Sequence, residues 1–212
     1  MDPTKEEPGQ GNQDAVSIER ADAPIRGGQL TVETLERVRE RDSHALSTFF
    51  EFYFDRVYGL AYRLLGDHAS AEDVTQEVFQ KVHKAAPQLD TSRDPGPWLM
   101  AITHNACRDH WRSKAFKLGR KSQSLEDTEG LVETLAAPGE GADEALVREE
   151  QARKVQAAIL KLPEDLRSVV ILHDYEGLGH EEIAMMIGAT HVATRKRYSR
   201  ALGRLAALLK DL

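Results

Sequence analysis

Residues 49–84 read FFEFYFDRVYGLAYRLLGDHASAEDVTQEVFQKVHK, and this stretch decides the fold of the first half of the chain. Its aromatic and aliphatic residues recur at helical spacing as far as Gly66. They predict one long helix, capped by Asp42 or Ser43, that supplies the core of a first domain. A second helix is predicted from Ala71 to Ala85, with Ser70 as its N-cap.

The second helix has two unlike sides. At about 100° per residue, Val74, Val78 and Val82 share one side, which predicts packing against the first helix. The opposite side carries carboxylates and amides, at Asp73, Gln76, Glu77 and Gln80. Such a face is either solvated or docks a basic protein partner, and composition leaves both interpretations open.

Outward from this stretch the chain reads as helices, with no convincing strand. Further helices are predicted at residues 31–41, 98–116, 143–160, 163–175, 180–187 and 191–209. Residues 119–142 contain Pro138, Gly139 and Gly141 and few large apolar groups, which is typical of a linker. We therefore predict an all-α fold of two small helical domains joined by a flexible acidic linker. The predicted bounds are a disordered tail at 1–29, a first domain at 30–118, a linker at 119–142 and a second domain at 143–212.

The last two predicted helices have the spacing of a helix-turn-helix. Gly188 and the two residues after it make a short turn between them, and the second helix carries a cluster of basic residues. Its cations fall largely opposite its leucines, so one face packs and the other presents positive charge. A short helix, a glycine turn and a basic second helix together favour DNA reading over a merely solvated basic face.

Charge is unevenly distributed along the chain. The 212 residues carry a net charge of -7, but residues 122–150 alone carry about -8, with nine acids and one base. Basic clusters occupy residues 108–121 and 195–204, and such clusters are what phosphate neutralisation requires. No apolar run approaches the length of a membrane span, and the N-terminus lacks the pattern of a secretory signal. We therefore expect a cytoplasmic protein, and the single cysteine, Cys107, agrees with a reducing compartment.

Three motifs resemble the bacterial sigma-70 family. The 49–84 stretch, together with PWLMAITHNACRDHWRSK at 97–114, resembles sigma region two. Residues 162–205, which read LPEDLRSVVILHDYEGLGHEEIAMMIGATHVATRKRYSRALGRL, resemble sigma region four. The spacing is similar to that of the extracytoplasmic function group, which keeps only these two domains.

The resemblance implies a transcription initiation factor that binds core RNA polymerase, directs it to specific promoters and helps to open the -10 region. It implies docking on the clamp helices of the largest polymerase subunit through Asp73, Gln76, Glu77 and Gln80, and a contact with the flap of the second-largest subunit. It assigns the -10 box to Asn105, Arg108, Arg112 and Lys114, together with the loop at 89–97. It assigns the -35 box to Thr190, His191, Arg195, Lys196, Arg197 and Arg200. An anti-sigma factor is a further expected partner, and His104 stands where relatives commonly have arginine.

Other readings of the sequence predict different chemistry. His104, Cys107 and His110 recur every three residues, but a tetrahedral site needs a fourth ligand that the neighbouring chain does not offer, so we predict no metal. No phosphate-binding glycine loop or nucleophile motif is present, so we predict no enzyme activity and no cofactor. The main alternative is an autonomous helix-turn-helix regulator that binds DNA as a dimer. A third reading is a module that mainly docks other proteins.

Overall fold

The structure is a computed structural model that describes residues 30–120 and 142–210. Within these two ranges every regular element is helical, which confirms the all-α class. The predicted tail lies outside the described residues, as does the predicted linker except for its two ends. Residues 119 and 120 belong to the fourth helix, so that helix runs further than the sequence predicts.

The described residues form eight α-helices in two runs, four before residue 121 and four after residue 141. They are α1 (Val32–Arg39), α2 (Ser43–Leu65), α3 (His68–Ala85), α4 (Gly96–Arg120), α5 (Ala142–Leu160), α6 (Glu164–Val170), α7 (His180–Ile187) and α8 (His191–Lys210). A 3-10 turn (Ala86–Gln88) follows α3, and a π-helical turn (Ile171–Tyr175) extends α6. The predicted helix at 163–175 is thus real but changes its hydrogen-bond pattern halfway.

Side-chain caps set the starts of α2 and α3. The carboxylate of Asp42 accepts the backbone N–H of Ala45 at 2.9 Å, so Asp42 rather than Ser43 caps α2. The prediction that Ser70 caps α3 is wrong, because the helix begins at His68, three residues before the predicted start at Ala71. Asp67 is the cap, and its carboxylate accepts the backbone N–H of Ser70 at 3.0 Å.

The aromatic stretch of α2 contributes both core and surface. Phe49, Val57 and Leu60 are fully buried against α1, α3 and α4. Phe54 is 47% exposed, so the prediction that all of these aromatic residues form the core is wrong for this ring. The long run of aromatic residues wraps around the helix and cannot face inward at every position.

The two halves of the described chain pack against each other. One continuous hydrophobic cluster includes residues of α1–α4 and residues of α5–α8. Arg167 of α6 donates a hydrogen bond to the carbonyl oxygen of Leu64 at the end of α2, at 2.6 Å. His104 Nε2 of α4 lies 3.1 Å from the hydroxyl of Ser168 on α6. The division into domains at 30–118 and 143–212 stays a prediction.

Among the described residues, the structure contains no helix with the length and apolar character that a bilayer crossing requires.

A substitution at Gly66 tests how closely α5 packs against the end of α2. It adopts a left-handed φ of 75°, and a Cβ there would lie 2.7 Å from both Cδ atoms of Leu160 on α5. Gly188 has a similar φ of 67°, but no described atom lies within 4 Å of its Cβ position. We expect Gly66→Ala and Gly188→Ala each to lose about 1 kcal/mol of unfolding free energy through backbone strain. Gly66→Ala should lose about 1 kcal/mol more by displacing Leu160. Equal losses of unfolding free energy for the two variants, measured by urea titration, would contradict the close approach of Gly66 and Leu160.

The burial of His104 predicts that the stability of the chain depends on pH. Burial, and then the charge of Arg108, lower the pKa of His104 from 6.5 to about 4. Between these values the unfolded chain binds more protons at this site, so stability falls as the pH falls through that window. From about pH 7.5 to about pH 5, the wild-type chain should lose about 2 kcal/mol more than His104→Gln.

The measurement for His104 is urea unfolding at several pH values. His44→Gln, a change at an exposed histidine of α2, is the matched control and should follow the wild type. If the His104→Gln and wild-type curves stayed parallel, His104 would not be held neutral by burial.

Candidate nucleic-acid and partner surfaces

The predicted docking face of α3 lies in solvent. Its four polar residues are all exposed, while the valines on the other side are buried. Lys81 Nζ lies 2.7 Å from the carboxylate of Glu77 and 3.9 Å from that of Asp109 on α4. Asp73 extends the negative charge one turn toward the start of the helix. The structure therefore brings Asp73, Gln76, Glu77 and Gln80 together on one rigid stripe.

Half-exposed aromatic rings lie on α2 and α3, and they were not predicted from the sequence as surface residues. Phe79 of α3 lies 4.6 Å from Phe50 and 6.3 Å from Phe54 of α2, measured between ring centroids. Tyr58 continues the row at 6.0 Å from Phe54. The signal in the sequence is the four-residue spacing of Phe50, Phe54 and Tyr58 on α2. Aromatic surface beside polar groups is typical of protein interfaces.

The four residues assigned to the -10 box differ in exposure along α4. Arg112 and Lys114 are exposed, whereas Asn105 and Arg108 are half-buried. The Nε of Arg108 is buried and has no hydrogen-bond acceptor among the described residues. Arg112 and Lys114 are thus open to a ligand, and Arg108 is partly covered.

The loop before α4 forms one wall of a cleft. Asp94 Oδ1 accepts the backbone N–H of Gly96 at 2.9 Å and the hydroxyl of Tyr53 at 3.4 Å. Burial and the nearby charge of Asp94 raise the pKa of Tyr53 to about 12, so this phenol stays a hydrogen-bond donor at neutral pH. The cleft is lined by Leu30, Val32, Leu35, Tyr53 and residues 91–95. The cleft combines an aromatic ring with polar groups. Of its lining, only the loop was predicted from the sequence to be part of a site.

The helix-turn-helix forms as predicted. α7 ends at Gly188, whose left-handed φ of 67° reverses the chain while its N–H bonds to the carbonyl oxygen of Ala184. The hydroxyl of Thr190 accepts the backbone N–H of Ala193 at 3.2 Å and so caps the start of α8. Thr194 is fully buried, and its hydroxyl bonds to the carbonyl oxygen of Thr190, which explains how a polar residue is accommodated there.

The cations of α8 do not all share one face. His191, Arg195, Lys196 and Arg200 are exposed, as is Thr190 before them. Arg197 is half-buried, with its Nε 3.6 Å from the carboxylate of Asp165 on α6. Arg197 is therefore less open than the other cations of α8, because Asp165 lies beside it.

Three histidines and Tyr198 form a cluster at the junction of the helix-turn-helix that was not predicted from the sequence. The ring of His180 lies 4.4 Å from that of His173 and 6.4 Å from that of His191. Tyr198 lies 4.6 Å from His173 and donates a hydrogen bond to Asp174 at 2.8 Å. Desolvation, and then the charges of its neighbours, lower the pKa of His180. These contacts fix α8 against the end of α6 and the start of α7.

The three residues weighed as metal ligands on α4 do not converge. Cys107 is buried, and burial raises the pKa of its thiol to about 12, whereas a metal ligand must be a thiolate. His104 is buried against Ser168 instead. No group of three histidine, cysteine or acidic residues suited to a metal occurs within residues 30–120 and 142–210.

Two family models match the chain in the order that the resemblance implies. The model described as Sigma-70 region 2 matches residues 49–117, and the model described as Sigma-70, region 4 matches residues 152–205. The first match contains α3 and most of α4, and the second contains the helix-turn-helix.

Two curated relatives match over most of their length. The ECF RNA polymerase sigma factor SigW of Bacillus subtilis is 29% identical over 180 residues, which is 84% of this chain and 96% of SigW. The ECF RNA polymerase sigma factor SigK of Mycolicibacterium vanbaalenii is 30% identical over 179 residues, which is 84% of this chain and 87% of SigK.

Solved structures share the fold. The sigma factor RpoE of Bartonella quintana, solved with the anti-sigma factor NepR, is similar with a TM-score of 0.62 at 21% identity, over 77% of this chain and 96% of that chain. CnrH, solved with the cytosolic domain of CnrY, gives a TM-score of 0.58 at 22% identity, over 85% of this chain and 97% of that chain. Since both sigma-70 regions match in order and SigK is covered over most of its length, the chain belongs to the extracytoplasmic function family of sigma factors, which act in transcription initiation.

Proposed function

We propose that this chain binds core RNA polymerase in the cytoplasm, directs it to specific promoters and helps to open the -10 region. The observation that carries the proposal is a separation of charge between the two halves. An exposed stripe of acids and amides lies on α3, and exposed cations lie on the first turns of α8. The first surface suits a basic protein partner and the second suits DNA. The chain acts by binding alone, without a catalytic step, metal or cofactor.

The α3 stripe is the proposed contact with the clamp helices of the largest polymerase subunit. Asp73 and Glu77 lie one turn apart on a helix that is anchored by buried valines, so their carboxylates are held in place before binding. The aromatic row of Phe50, Phe54 and Phe79 adds apolar area, which is where interfaces gain most of their affinity. In the other half, the exposed Leu202 and Leu209 of α8 are the apolar residues that we assign to the flap of the second-largest subunit.

The cleft between α2 and the loop before α4 is the proposed site for a base of the -10 box. Flipping a base out of the duplex costs a few kcal/mol, which a pocket that binds the base offsets. Asp94 offers an exposed carboxylate that can accept from an exocyclic amine, and the buried Tyr53 donates its hydroxyl to that carboxylate. Asn105, Arg112 and Lys114 on α4 would hold the adjoining strand, and Arg108 would join them once uncovered.

The N-terminal half of α8 is the proposed reader of the -35 box in the major groove. Recognition helices contact base edges through their first turns, where Thr190, His191, Arg195 and Lys196 are exposed. Arg200 lies further along the same helix and suits a phosphate. Arg197 stays in the proposed site, with its side chain 33% exposed and its Nε 3.6 Å from the carboxylate of Asp165.

An anti-sigma factor is the proposed regulatory partner. Its support is the solved complex of RpoE with the anti-sigma factor NepR, a chain of the same fold. The surfaces that such a partner would cover are those that meet polymerase and DNA.

The autonomous regulator is not favoured by the family match, and neither is a module that only docks proteins. An autonomous regulator would dimerise and bind a palindrome without polymerase. Run-off transcription with purified core enzyme separates these functions, because only a sigma factor yields a specific transcript when it is added to core enzyme alone.

We expect Asp73→Ala to weaken binding to core polymerase about tenfold, or by about 1.4 kcal/mol, because it removes a fixed charge from the α3 stripe. The affinity is measured by fluorescence anisotropy of the labelled chain titrated with core enzyme. Glu36→Ala, which removes an exposed carboxylate from α1, is the matched control and should bind like the wild type. Equal affinity in all three proteins would remove α3 from the interface.

Replacing Arg195 by alanine should weaken promoter binding by the holoenzyme, with the loss confined to the -35 box. A base contact would cost about 1–3 kcal/mol, whereas a phosphate contact would lower the slope of log K against log salt by about 1. Lys210→Ala, at the far end of α8, should have neither effect. The readout is holoenzyme affinity for promoters with an intact or scrambled -35 box. If Arg195→Ala and Lys210→Ala behaved alike on both templates, α8 would not read this box.

A further inference from the structure

One apolar side chain lies in the middle of the exposed face of α8. Val192 is 61% exposed and belongs to the first turn of the helix. The buried residues of α8 are Thr194, Ala201 and Leu205. At about 100° per residue, Ala201 lies about 180° around the helix from Val192, which therefore points into solvent. Isolated exposed valines are common on soluble proteins, so the significance of Val192 depends on what surrounds it.

Uncharged residues continue the middle of this face. Ser199 and Gly203 both lie within about 20° of Val192 around the helix axis, two and three turns further along. Both are exposed, and no described atom lies within 4 Å of the Cβ position of Gly203. Val192, Ser199 and Gly203 thus form a neutral strip along the centre of the exposed face of α8.

Cations lie on both sides of the neutral strip. Arg195 lies about 60° from Val192 in one direction, and Lys196 and Arg200 lie about 40° and about 80° from it in the other. All three cations are exposed. A helix in the major groove has base edges in front of it and a phosphate backbone on either side. The cations are therefore placed for the two phosphate walls, and the neutral strip is placed for the bases.

The side chain of Val192 limits which base it can recognise. Valine neither donates nor accepts a hydrogen bond, so it has no favourable contact with the polar edges of guanine, adenine or cytosine. Thymine alone presents an apolar group in the major groove, its C5 methyl, and apolar side chains contact that methyl in protein–DNA complexes. Burying one methyl group in such a contact corresponds to a gain of about fourfold in affinity.

We propose that Val192 is a specificity-determining residue of the -35 site, and that its methyl groups contact the C5 methyl of a thymine in the major groove. The inference rests on the proposed function, in which α8 reads the -35 box. It adds a base identity to that function, because the base pair that faces Val192 must be A·T.

The test removes the methyl group from the DNA. Each thymine of the -35 box, on either strand, is replaced in turn by deoxyuridine, which lacks only the C5 methyl. The readout is the affinity of the holoenzyme for each promoter, measured by fluorescence anisotropy of labelled DNA. With the wild-type chain, one of these replacements should weaken binding about fourfold. With Val192→Ala, which lacks both contacting methyl groups, the thymine and uracil promoters should bind equally.

Val147→Ala is the matched control, because it makes the same change at a valine of α5 that is 56% exposed. Holoenzyme with this variant should keep the wild-type ratio of thymine to uracil affinity. Val192→Ala should also bind core polymerase like the wild type and show the same helix content by circular dichroism. Weaker binding to core polymerase with an unchanged thymine-to-uracil ratio would place Val192 at a protein interface and overturn the inference.

Failure of this inference differs from failure of the proposed function. If scrambling the whole -35 box weakened wild-type binding but no uracil replacement did, α8 would read the box without a methyl contact, and only the assignment of Val192 would fall. If scrambling also left the affinity unchanged, α8 would not read the box, and the proposed function of this helix would fall with the assignment.

Discussion

The guanidinium of Arg167 lies where α2 and α5 end. It donates hydrogen bonds to the carbonyl oxygens of Leu64 and Leu160, which lie in the last turns of their helices, and to that of Leu162 in the connection before α6. Burial lowers the pKa of Arg167, yet arginine keeps its charge, and the negative ends of two helix dipoles stabilise that charge. One cation on α6 thus joins the first half of the chain to the second.

This junction determines which side chains remain open. His104 and Trp111 of α4 meet Ser168 and Arg167 of α6, while Arg112 and Lys114 stay exposed and Arg108 is half-buried. On the far side of the first half, the α3 stripe is untouched and keeps its carboxylates in solvent. The packing of the two halves therefore leaves the proposed polymerase surface free.

The sequence predicted the elements well because helix periodicity and the glycine at 188 are local signals. It misplaced the start of α3 because Ser70 and Asp67 are both good caps, and only the backbone geometry selects Asp67. It placed Phe54 in the core because a run of adjacent aromatic residues has no clear periodicity. It did not predict the ion pair of Arg197 with Asp165, because the two residues are distant in the chain.

The amino-acid sequence by itself determined the helical class, the helix-turn-helix, the acid and amide stripe on α3 and the family, because all of these depend on the spacing of residues within one helix or motif. Only the tertiary structure decided that Arg56 meets Glu176 and that His104 meets Ser168. It also decided which arginines of α4 and α8 are open to solvent. These contacts join residues 64 to 120 positions apart in the chain, and no local pattern encodes a pairing at that range.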